Sequence, residues 1–104
     1  MHRIRWFFQR LFRGYSDDEL WDLGNAMAHW LYPRLVAFRN RTGGYPCNLE
    51  WNEWQEILDK MIWAMKFIKD GEDEKKHSYS MKECHRRKDE GCKLIGEYWN
   101  HLWW

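Results

Sequence analysis

Carboxylates at helical spacing are the first residues in this chain that could do chemistry. Glu19 and Asp22 stand three apart, and Glu53, Glu56 and Asp59 repeat the step further on. Two helices presenting such pairs across a core could hold Mg²⁺, which takes oxygen ligands and keeps several waters, for nucleotide pyrophosphate hydrolysis. The competing reading is structural, because acids in the first turns of a helix are favoured by its dipole. Cys84, His85 and Cys92 raise the question of zinc, but a tetrahedral site needs a fourth ligand and usually a turn-borne Cys-x₂-Cys pair, which is missing. Glu74 and His77 have the Glu-x-x-His spacing of di-iron bundles, yet stand alone in a charged stretch. No P-loop, GxGxxG, HExxH or GxSxG motif occurs. His29, beside Trp30, reads as a core-edge histidine. The expectation is a protein that is not an enzyme and uses no metal or cofactor.

Aromatics next to cations are the remaining chemistry. Arg13 with Tyr15, Tyr32 with Arg34, and Tyr45 with Trp51 and Trp54 fall at expected helix ends and turns, and Trp21 lies just beyond the first of these groups. Indole and phenol faces stack on nucleobases, and guanidinium forks hold phosphates bidentately. Arg13, Tyr15, Trp21, Arg34, Tyr45 and Trp54 are therefore the candidate residues for a small nucleotide ligand. The alternative is a Trp/Tyr-rich interface of a homo-oligomer with arginine at its rim, which is how interfaces are commonly composed.

The elements that must position these residues are helical. Ser16 and Glu19 have capping-box spacing, Tyr15 and Leu20 the spacing of a hydrophobic staple, and Asp17 and Asp18 suit a first turn. Leu20, Leu23, Met27, Leu31, Leu35 and Phe38 then recur at helical spacing, which predicts a helix from about 17 to 40, kinked or broken by Pro33 near Trp30–Tyr32. The glycines of "NRTGGYP" suit a cap and turn. A second helix from about 50 to 69 carries Trp54, Ile57, Leu58, Met61, Met65 and Ile68, widened by Ile62, Trp63 and Phe67. A helix apolar nearly all round is buried on more than one side, so it is the central element. Residues 69–80 read as a charged loop. A third helix is expected over about 81–102, with Gly91 and Gly96 as candidate points of close packing. Residues 1–13 hold four arginines and no acid, with Ile4, Phe7, Phe8 and Leu11 on one stripe: a basic amphipathic helical arm. The fold class is all-α, a compact three-helix bundle-like domain with that arm.

Composition narrows the partners. A chain of 104 residues is one domain, and its formal net charge of +1 gives no global field for DNA or an anionic membrane. No apolar run approaches the roughly 20 residues of a membrane span, and the arginine-bearing N-terminus lacks the h-region of a signal peptide. The odd set of three cysteines fits reduced thiols in a cytosol. Nine tryptophans are more than one small core hides, so some should line an interface or a pocket.

Three ordered blocks give the chain a family likeness. The first is Gly14-Tyr15-Ser16-Asp17 with Leu20-Trp21 and Leu23. The second is the Gly44-Tyr45-Pro46 turn followed by Glu53-Trp54 and Ile57-Leu58-Asp59-Lys60-Met61-Ile62. The third is Glu90-Gly91, Leu94, Tyr98 and Leu102-Trp103. In these the chain resembles a family of small tailed-bacteriophage proteins, departing from its Phe-rich tail at Ile95 and Trp99. The resemblance implies a phage product in the cytoplasm of an infected bacterium, without implying a known reaction. Small oligomeric phage proteins of this kind are often counter-defence factors, some of which sequester cyclic or ADP-ribose-type nucleotide alarms without cleaving them. A protein-binding inhibitor of a host defence factor, or a virion component, is the alternative in a different class.

Overall fold

A computed structural model describes residues 4–5, 22–71 and 79–103. These residues form three α-helices, α1 (Leu23–Arg41), α2 (Trp51–Asp70) and α3 (Met81–Glu97), and a closing 3₁₀ turn at Trp99–His101. The structure is compact and all-α, with no strand among the described residues. Ile4 and Arg5 are helical and exposed; the rest of the expected basic arm, with the Ser16 cap and its staple, lies outside the described residues.

α1 begins later than its periodicity suggests. Asp22 has a non-helical backbone (φ −137°, ψ 76°), and its carboxylate accepts a hydrogen bond from Asn25 N at 3.3 Å. Asp22 is thus the N-cap, its oxygen satisfying one of the orphan amides of the first turn, and the helix does not run through from residue 17. α1 also passes through Pro33 without the expected break. Pro33 has no amide to offer the His29 carbonyl, and its ring crowds that turn. One residue on, Arg34 Nη1 donates to the Trp30 carbonyl at 2.8 Å, so a side chain supports the turn that the proline weakens. At the other end the cap is Thr42, not a glycine. Its backbone is extended, its N–H donates to the Phe38 carbonyl, and its buried hydroxyl donates to Gly44 O at 3.2 Å.

α2 lies where its pattern puts it. Glu53 folds back to accept from Glu50 N at 2.9 Å, closing the first turn. Gly71 ends the helix at φ +74°, where a side chain would be strained. Trp54, Leu58, Met61, Ala64 and Met65 are buried along it. α1 packs on one side and α3 on the other, while α1 and α3 do not come within 8 Å of each other at Cα. The core is therefore two seams that share α2.

α3 starts at Ser80, whose Oγ accepts from Glu83 N at 3.2 Å. It stops at Glu97 and not near 102: the chain leaves α geometry at Tyr98 and tightens into the 3₁₀ turn. It comes close to α2 at Gly91, where an added Cβ would overlap Ala64 Cβ and stand 2.6 Å from the Lys60 carbonyl oxygen. Gly96, the other expected packing glycine, has open space around it.

Candidate functional site

Of the six residues proposed from sequence, Arg13, Tyr15 and Trp21 lie outside the described residues. The other three engage separate neighbours. The Arg34 guanidinium lies over its own Trp30 ring, 4.1 Å from the centroid, and its Nη1 donates to the Trp30 carbonyl. Tyr45 is half-exposed and meets Trp51 edge-on at 5.8 Å. Trp54 is a core residue, 1% exposed, packed edge-on against Tyr98 at 5.6 Å. Its place on the α2 stripe that faces the neighbouring helices explains this, and its ring has no open face for a base.

The acid pairs take structural roles. Glu53 caps α2, and Asp59 is held by Arg39 of α1, with Nη2 to Oδ2 at 3.2 Å. Glu56 is exposed. Among the described residues no three His, Cys, Asp or Glu side chains converge as metal ligands. Cys84 is buried while Cys47 and Cys92 are exposed. Desolvation pushes the Cys92 thiol up from its ordinary value, which keeps it protonated at neutral pH.

The side chains that do converge lie elsewhere. Because Gly91 lets α3 touch the α2 backbone at Lys60, residues flanking the contact face one another across the seam. They line an open groove of about 390 Å³ formed by Asp59, Lys60, Trp63, Arg86, Arg87 and Glu90. Lys60 Nζ meets Glu90 Oε1 at 2.8 Å across the helices. Arg86 is forked: Nε and Nη2 donate to the two oxygens of Glu83 at 2.9 and 2.7 Å, and Nη1 donates to Glu90 at 3.0 Å. Arg87 Nε reaches Glu83 at 3.2 Å, and its guanidinium lies 3.9 Å over the Tyr79 ring. Trp63 stacks on Phe67 with centroids 5.4 Å apart and 6° between planes, and meets Tyr79 edge-on.

Charge in the groove is thus organised around Glu83 and Glu90. The Arg86 hydrogen bonds hold the Glu83 carboxyl far below its ordinary value of 4.5, at about 2, with Arg87 adding to the effect. Lys60, and then Arg86, lower Glu90. Carboxylates held this acidic are weak bases, poorly suited to taking a proton at neutral pH. What the groove holds is three cations, each paired to Glu83 or Glu90, beside the Trp63 indole, with the neighbouring Tyr79 phenol under Arg87.

Sequence reasoning missed this constellation, although parts of its signal were visible. Lys60 and Trp63 share a face of α2, Glu83, Arg86, Arg87 and Glu90 share a face of α3, and Gly91 marks the crossing that brings the faces together. No protein-family model matches the chain, and no curated protein or solved structure is significantly similar to it.

Proposed function

We propose that this chain is a phage counter-defence protein that binds a nucleotide-type immune signal, a cyclic nucleotide or an ADP-ribose derivative, and sequesters it uncleaved. The observation that carries the reading is the α2–α3 groove, where Lys60, Arg86 and Arg87 stand beside Trp63 and Tyr79. Phosphates would displace Glu83 and Glu90 from the cations, and a base would stack on the aromatic wall. The ligand site proposed here therefore differs from the one read from the sequence.

Native mass spectrometry of the full chain against a panel of cyclic nucleotides and ADP-ribose derivatives tests the reading. One of them should bind, and heat denaturation of the complex should release it at unchanged mass. Arg87→Glu and Lys60→Glu, both surface changes, should abolish binding and leave the helical circular dichroism intact. Recovery of degraded nucleotide alone would mean an enzyme. No binding across the panel, with a host protein retained on the purified chain, would favour the second reading, an inhibitor that acts by protein contact. That reading has its own observation: Trp99 and Trp103 are 63% and 73% exposed at the end of the chain.

A further inference from the structure

α1 carries two stripes, and among the described residues one of them is packed into the core. Ala28, Leu31, Leu35 and Phe38 belong to the core. On a neighbouring face, about 100° round the helix, Leu23, Met27, Trp30, Arg34, Ala37 and Arg41 follow at steps of four and three, and all six are exposed. Trp30 is 60% exposed, Met27 56% and Leu23 53%. This outer stripe is apolar over its first half and cationic over its second, with no acid along it. Trp, Met and Arg are the residue types that protein interfaces enrich.

We propose that the outer stripe of α1 is a homodimer interface, packed antiparallel against the same stripe of a second copy about a twofold axis at the level of Tyr32. Charge decides both the occupant and the direction. Asp22 caps one end of the helix, while Arg41 ends the stripe at the other, Arg39 of the same turn being held by Asp59 of α2. Antiparallel pairing brings the Asp22 end of one copy beside the Arg41 end of the other and opposes the helix dipoles favourably. Parallel pairing would set Arg34 and Arg41 against themselves. The steric fit follows the same axis. Met27 then faces Ala37, large against small, and Leu23 lies along the stem of Arg41. Trp30 faces Arg34, and each of these is already half of a preformed stack, with Arg34 4.1 Å over its own Trp30. Every pair occurs twice, as a twofold interface requires.

Cross-linking of the full chain tests the register, in a background with Cys47→Ser and Cys92→Ser so that only the buried Cys84 remains. Under a mild disulfide oxidant, the Met27→Cys, Ala37→Cys double variant should give a covalent dimer. The Met27→Cys single variant should stay unlinked, because the two copies of that position are far apart in the antiparallel register. Efficient linking of the single variant would overturn the proposal in favour of a parallel contact. In sedimentation equilibrium the unmodified chain should dimerise, and Trp30→Ala should weaken dimerisation at least about tenfold with helical content unchanged. A chain that stays monomeric at about 100 μM would also overturn it, and would assign the stripe to another segment of the chain or to a different protein.

Discussion

The two seams of this protein are built on opposite principles although they share α2. Along the α2–α3 seam glycine meets alanine, Gly91 against Ala64, so the backbones come close there and long side chains lie at the rim. There they pair: Lys60 with Glu90, and Arg86 and Arg87 with Glu83. The α1–α2 seam is filled by larger groups, Leu31, Tyr32, Leu35 and Phe38 from α1. Its rim holds the Arg39–Asp59 pair and Lys66 and Lys69 over the Tyr32 ring. The difference teaches where a groove comes from. Small residues at a helix crossing do not themselves bind anything, but they set opposing rows of charged side chains face to face.

Three measurements would break or sharpen this contrast. Leu35→Ala, in the seam of large groups, should remove about 2–5 kcal/mol of stability through lost burial and a cavity, read from the denaturant midpoint. Gly91→Ala, in the seam of small groups, should remove about 1–3 kcal/mol by overpacking, because Lys60 contributes backbone there and cannot rotate aside. Gly96→Ala should instead add up to about 1 kcal/mol, since the position is helical with open space around it. Equal effects at the two glycines would refute the close approach at Gly91.

The smallest effect concerns the charged rim and appears only in acid. A carboxyl lowered from 4.5 to about 2 contributes stability that is complete above pH 4.5 and fades as the pH falls towards 2. Solvent screening keeps this contribution small at so exposed a network. Melting temperatures between pH 7 and pH 2 should fall more steeply for the unchanged protein than for Glu83→Gln. Parallel curves would show that the Glu83 pairs within α3 contribute nothing to stability.

Much of this architecture was legible in the residues. Trp54, Leu58, Met61 and Met65 place α2 and make it central, while Gly91 and Gly96 were equal candidates for close packing and only Gly91 makes it. Other features turn on competition between adequate signals. Ser16 and Asp22 both make good caps, and the described helix uses Asp22. Leu23 and Met27 fit the same period as Leu31 and Leu35, yet face outward, because α1 has apolar residues on two sides and period alone does not choose between them. The end of α3 was hidden for a similar reason, since Leu102 continues the helical spacing past the point where Tyr98 leaves it. Trp54 looked like a ligand contact by residue type and proved to be core by position. The groove was the hardest to foresee. Periodicity fixes which residues share a face of one helix, but not how two helices are rotated against each other.

The separation of α1 from α3 has a kinetic consequence. Each seam joins helices adjacent in the chain, so the fold is two helical hairpins overlapping in α2, with no contact that must wait for the ends of the three-helix unit to meet. Such local topology closes short loops and favours fast folding. It also makes α2 the last part to open, because fraying of either hairpin leaves the other half of its surface covered.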